Sequence, residues 1–318
     1  MSAAAHPNLS ISETAGLTRG VTWLSVGVAA VLTLIKGVAW LASGSVAMLA
    51  SLADSGLDLI AALATFFAIR YAVAPPDREH RYGHGKAEAF ASLVQAGLVF
   101  ASAALVGQAA ILHLIHPQAV GAHGEGLAVM ALSILLTGGL VMAQTRVLSK
   151  ANSVAVMGDR MHYMADLASN LVAFAAIGAS AVLHSPLPDA VGGLIVAAWL
   201  LWGAVGVFRG ASVELMDHEL ADESRAEIIA LMMQDARIVD VHQLRTRASG
   251  PYMHIQMHAD LDPALSLIDA HKVVVAAERR VLDAFPAADI IIHPDPRGAA
   301  EPHGGAFGEE IHEKSATR

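Results

Sequence analysis

The sequence predicts an integral membrane protein: an all-α bundle of six transmembrane helices, followed by a soluble α+β domain of αββαβ order with a ferredoxin-like layer. Three observations predict it. Of 318 residues, 55% are hydrophobic and only 15% charged, whereas soluble domains run nearer a quarter charged. Six segments approach the ~20 apolar residues that a membrane crossing needs. Charge is also divided unequally: residues 1–215 hold 10 Lys/Arg against 11 Asp/Glu, and residues 216–318 hold 10 against 18. A nearly neutral membrane part thus precedes an acidic soluble one. With no basic patch to neutralise phosphates, nucleic acid is not expected as a partner.

Residues 1–20 lack the basic start and short apolar core of a signal peptide and read as a flexible polar extension. The membrane domain is expected over 21–210, with spans near 21–42, 44–70, 87–115, 126–148, 154–183 and 188–208. Gly44, Ala74-Pro75-Pro76-Asp77, His116-Pro117 to Glu125, Ser149 to Ser153 and Ser185-Pro186-Leu187-Pro188 separate them. Arg70, Arg78, Arg81 and Lys86 follow span two, Arg146 and Lys150 follow span four, and Arg209 closes span six. The connections after spans one, three and five hold no Lys or Arg. This alternation predicts a multi-pass protein of the bilayer with both termini in the cytoplasm.

The soluble domain is expected over 211–296. Asp222-Glu223-Ser224 opens a helix, Val239 to Arg247 reads as a strand, and Ser249-Gly250-Pro251 as a turn. From Tyr252 to Leu261 polar and apolar residues alternate, the mark of a half-buried strand. Leu267, Ala270, Val274, Ala277, Val281 and Phe285 form the apolar stripe of a second helix, and Ile290-Ile291-Ile292 a last strand. Residues 297–318, rich in Gly, Ala and Glu, are expected to be disordered.

Chemistry is carried by histidine and aspartate. The chain has 16 His and no Cys, which excludes disulfides, thiolate metal sites and thiol nucleophiles. Span two contains Asp54 and Asp58, and span five His162 and Asp166, each pair at i, i+4 and so on one helix face. An intramembrane carboxylate costs about 2.5–3.5 kcal/mol on insertion scales. Two matched pairs in separate spans, with no other acidic residue expected well inside any span, point to a four-ligand cation site. The plainer alternative pairs one Asp with Lys36 and leaves His162 an ordinary buried histidine. In the loop 77–86, Asp77, His80 and His84 are spaced to converge in a tight turn. Otherwise they decorate a solvated basic loop. His242, His254, His258, His271, His293 and Asp295 lie in the soluble domain, each an ordinary surface residue alone but together suited to a zinc-class ion. His6, His113, His116, His123, His184, His303 and His312 read as incidental. HExxH, Walker and GxSxG patterns are absent, so an intramembrane protease and an ATP-driven pump lack their chemistry and an enzyme is not expected.

SLADSGLD in span two, DREHRYGHGKAE in the next loop, DRMHYMAD in span five, and HQLRTRASGP, IQMH, DAHK and IIHPDP in the tail resemble the cation diffusion facilitator family, and closely its bacterial zinc/iron efflux branch, over residues 20–296. The resemblance implies a transport site at Asp54, Asp58, His162 and Asp166, a loop site at Asp77, His80 and His84, and a cytoplasmic binuclear site at His242, His258, His271, His293 and Asp295. His254 falls outside the pattern. It further implies a metallochaperone-like cytoplasmic domain, a homodimer joined through it, and a hinge charge pair, Lys86 and Asp217.

The function expected is proton-coupled efflux of a divalent metal ion, Zn2+ or Cd2+ and also Fe2+, across the bacterial inner membrane. Metal ligands must be deprotonated, so metal and protons compete, and His162, with an unperturbed pKa of about 6.5, is the expected main proton carrier. Histidine at that position implies, in family terms, zinc and cadmium over manganese. Two alternatives share these ligands: a membrane-anchored metal sensor or scaffold that dimerises on metal without transport, and proton-coupled import.

Overall fold

The computed structural model describes residues 9–43, 46–116, 124–183 and 187–298. The chain divides into two units, one of Ser12–Met216 and one of Asp217–Arg318 with the residues up to Ile11; the cut at Met216/Asp217 falls six residues beyond the expected boundary, because the last membrane helix runs on past Arg209.

The membrane unit holds six long helices: α1 (Ile11–Ser43), α2 (Val46–Ala72), α3 (Ala87–Ile115), α4 (Gly124–Leu148), α5 (Val154–Leu183) and α6 (Leu187–Leu215). At 1.5 Å per residue, α3 is about 43 Å long, more than the roughly 30 Å of hydrocarbon. Among the described residues, five of the six are long and apolar enough to cross a membrane. The other, α5, matches them in length but carries Asp159, Arg160, His162 and Asp166. α1 starts ten residues before its expected span, so the expected flexible extension is helical from Ile11. Ser10-Ile11-Ser12-Glu13 has the S-x-x-E pattern of a helix start. Large apolar side chains such as Leu34, Leu57, Ile60, Phe67, Leu135 and Trp202 face outward, as lipid solvation allows.

The helices approach closely through small residues. A Cβ at Gly193 would lie 2.9 Å from the Cβ of Ala110, and one at Gly192 2.7 Å from Val172 Cγ1. Val99, Ala103, Ala165, Val196, Leu200 and Ala204 form the core where α3, α5 and α6 meet.

The C-terminal unit follows the expected order: α7 (Asp222–Met232), β1 (Ile238–Ser249), β2 (Tyr252–Leu261), α8 (Leu267–Ala284) and β3 (Ala288–Pro296). The sheet order is β1-β2-β3, with β1 antiparallel and β3 parallel to the central β2. Met253, Ile255, Met257, Ala259 and Leu261 bury the core face of β2 against Ile228, Met232, Val273, Ala277, Val281 and Phe285. Leu267 departs from the expected stripe: it is 83% exposed, because it is the first helical residue after the Ser266 N-cap, whose side chain accepts from Asp269 N. Pro294 and Pro296 are tolerated because β3 is an edge strand. The expected disorder of the tail concerns residues that, apart from Arg297 and Gly298, lie outside the described ones. The same holds for His6, His123, His184, His303 and His312.

Candidate metal centres

Three clusters of His and Asp have ligand atoms within 4.8 Å of one another: Asp58/His162/Asp166, Asp77/His80/His84 and His242/His258/Asp295. All three offer imidazole and carboxylate, a donor set that suits a borderline divalent transition metal.

In the membrane unit, His162 Nε2 lies 3.0 Å from Asp58 Oδ1 and 3.9 Å from Asp166 Oδ2. The i, i+4 spacing puts His162 and Asp166 on one face of α5, turned toward Asp58 on α2. Asp54, one turn earlier on α2, is exposed and not part of this grouping. Three of the four residues expected here therefore converge, and the fourth flanks them. Lys36 donates to Ser55 Oγ, one residue after Asp54, at 2.6 Å.

An acidic residue was not expected elsewhere inside a span, and Asp159 overturns that. It lies on α5 one turn before His162, is 1% exposed, and accepts hydrogen bonds from Ser25 Oγ of α1 (2.7 Å) and Gln144 Nε2 of α4 (2.8 Å). Gln95 of α3 donates to it at 3.4 Å and to Thr65 of α2 at 2.9 Å. The i, i+4 rule used to find ligands passes over it, because its partners come from three other helices.

The loop cluster is built by a turn. Asp77 Oδ1 accepts from the backbone N–H of His80 (2.6 Å) and of Glu79 (2.9 Å), and Gly83 takes the left-handed φ of 80° that glycine tolerates best. His80 Nδ1 and His84 Nε2 each come within 3.3 Å of a different Asp77 oxygen. The His80 N–H holds the Asp77 carboxyl below the usual carboxylate range. His84 is buried, its ring 4.4 Å from that of Tyr71.

In the C-terminal unit, strand register builds the cluster. His242 pairs with His258, and His258 with His293, so three imidazoles form a row across the sheet. Irregularities on both sides of His242, with Gln243 at φ 49°, set its position. Asp295 offers both oxygens: Oδ2 lies 2.7 Å from His258 Nδ1 and 3.5 Å from His242 Nε2, and Oδ1 3.2 Å from His293 Nε2. A carboxylate so placed can bridge two ions. Asp260, not singled out from the sequence although its alternation puts it on the His258 face, lies 3.3 Å from His242 Nε2. His271 is exposed on α8 and outside the cluster. His254 lies apart, 3.3 Å from Asp289, and its burial lowers its pKa.

Lys86 Nζ donates to the Leu215 carbonyl at 3.3 Å. Asp217, at φ 54°, accepts from Arg247 at 3.1 Å.

Residues 22–216 match the family described as "Cation efflux transmembrane domain", and residues 220–297 the one described as "Cation efflux protein, cytoplasmic domain". The cation-efflux pump FieF of Klebsiella pneumoniae is 37% identical over 86% of this chain and 90% of its own. Protein p34 of Rickettsia prowazekii is 34% identical over 90% and 94%. A solved structure described as a putative zinc transporter, CzrB, in a zinc form, is 29% identical over 27% of this chain and 98% of its own, with a TM-score of 0.25.

Proposed function

This chain belongs to the cation diffusion facilitator family of membrane cation-efflux transporters, which are not enzymes, and from that premise we propose that it exports Zn2+ or Cd2+, and also Fe2+, in exchange for protons. The observation that carries the proposal is the convergence of Asp58, His162 and Asp166 between α2 and α5, with Asp54 on the same face of α2 as the fourth ligand. A carboxylate at membrane depth is costly without a cation or proton to share. The donors here are three oxygen ligands and one imidazole, with no thiolate to hold the ion fast.

Metal enters the site only when its ligands are deprotonated, and protonation from the other side releases it. His162 carries the main exchanged proton and a carboxylate assists. Rocking of helices around a fixed site alternates its access. Lys86 and Asp217 are assigned as the hinge on the family resemblance alone. The basic connections after α2 and α4 face the cytoplasm of a bacterial inner membrane.

The cytoplasmic cluster binds two ions bridged by Asp295, and a homodimer forms there. His271, exposed on α8, is taken as a further ligand there, from its own chain or from a second copy. The test is metal-driven proton flux in proteoliposomes with Zn2+, Cd2+, Fe2+ and Mn2+. Flux with Zn2+ and Cd2+, lost in the Asp54→Ala/Asp58→Ala double variant, is expected. Full proton release by that variant would sink the site assignment, and metal-dependent dimerisation without flux would favour the sensor reading.

A further inference from the structure

The Asp159 cluster lies outside the three metal sites, and its position gives it a role. It sits between the Asp58/His162/Asp166 site and the end of the bundle where α5 begins. Exposure falls in that direction along α5: the Asp166 side chain is 26% exposed, His162 7%, and Asp159 as a residue 1%. On α2, Asp58 is 15% exposed at the side chain, while Thr65 and Ile69 are each 1% exposed as residues. Beyond Asp159 the same end is closed again by an apolar layer of Val21, Ile69, Ala155 and Val156.

From this we infer that the hydrogen-bonded hub of Asp159 with Ser25, Gln144, Gln95 and Thr65 is a gate, closing the site toward the end of the bundle where α5 starts. That end is cytoplasmic under the function proposed above, on which the transport meaning of the gate rests. The hub joins α1, α2, α3 and α4 to α5 at one level. Tyr163 adds a second tie to α1, its hydroxyl donating to the Ser25 carbonyl at 3.3 Å.

Among the described residues, none donates to the buried Gln95 Oε1 or Gln144 Oε1.

The lack of native cysteine makes a direct test available. Ala62→Cys, on α2 one turn from Asp58 toward the hub, reports access to that level, and Ser149→Cys, in the exposed turn after α4, reports which face of a vesicle carries the hub end. The full-length protein is reconstituted and labelled from each face with a charged, impermeant thiosulfonate. With the hub intact, Ala62→Cys reacts slowly from the hub end. Ser25→Ala and Gln144→Leu, each removing one donor to Asp159, are expected to raise that rate at least tenfold and to leave the rate from the opposite face unchanged. Ser25→Thr, which keeps the hydroxyl, is expected to keep labelling slow. Thr65→Val, a milder change on a third helix, gives a smaller rise of the same sign and serves if the other variants do not fold. Unchanged rates, or equal increases from both faces, would overturn the gate. Orientation and flux are read separately, so failure of the transport proposal leaves this result interpretable.

Discussion

His162 Nε2 lies 3.0 Å from Asp58 Oδ1, a link between α5 and α2 across 104 residues of sequence. It is the shortest-range evidence that the two i, i+4 motifs form one site. If both residues hold the transported ion, Asp58→Ala and His162→Ala each lower its affinity by more than the roughly 10–100-fold typical of a second-shell loss. Isothermal titration of the detergent-solubilised protein with Cd2+ measures this, and Asp58→Ala is expected to abolish flux.

At the loop cluster, Asp77 has two jobs: its Oδ1 closes the turn onto His80 N and Glu79 N, and its oxygens face both imidazoles. Asp77→Ala should therefore remove loop metal binding and also loosen the turn. His84→Ala should remove binding with the turn intact. Amide exchange at His80, compared with metal stoichiometry, separates the two variants.

If the His242/His258/Asp295 cluster holds two ions and His271 of a second copy completes it, that sharing has a distinct signature. His258→Ala is expected to weaken metal binding at any protein concentration. His271→Ala is expected to weaken chiefly the metal-dependent tightening of the dimer, by about tenfold or more, as read by sedimentation with and without Zn2+. Equal effects of the two variants at protein concentrations far below dimerisation would argue against a shared site.

Asp235 gives a pH prediction. The Arg237 side chain, hydrogen bonded at 2.7 Å and 2.9 Å, lowers its carboxyl to about 2. A group whose pKa is lowered on folding stabilises the protein above its unfolded value, near 3.9, and loses that contribution as pH falls through the folded value. Asp235→Asn should thus destabilise the cytoplasmic unit at pH 5–7, and the difference should vanish as pH falls toward 2. Denaturant titrations across that range, followed by amide exchange in β1, check the sign.

Packing makes a simpler prediction. Phe285 is fully buried at the end of α8, against the core face of the sheet. Phe285→Ala should cost about 3–5 kcal/mol, the transfer term plus a cavity, seen as a lowered denaturation midpoint with the membrane helices still folded.

Local rules carried much of this fold. Strict alternation located β2 to the residue, and the apolar runs located α3 and α5 at both ends. They fell short where partners are distant in sequence. α1 extends back to Ile11 because a helix does not stop where hydropathy does, and α6 runs to Leu215 for the same reason. In the site, the motif spacing brought out Asp58, His162 and Asp166, but no spacing could show that Asp54 is exposed beside the grouping or that His271 is exposed on α8. Asp159 was visible as a letter within DRMHYMAD. Its meaning came only with Ser25, Gln95 and Gln144, residues that no local pattern connects to it.

The row His242–His258–His293 has a consequence for how the cytoplasmic unit assembles. Side chains alternate across a strand, so a slip of β3 by one residue would turn His293 and Asp295 to the core face and Ile292 outward. The ligand set exists in one pairing of the three strands and in no neighbouring one. An ion that bound there would act as a proofreader of strand alignment, rewarding the correct pairing alone, and a chelator should release the outer strand before the helices beneath it.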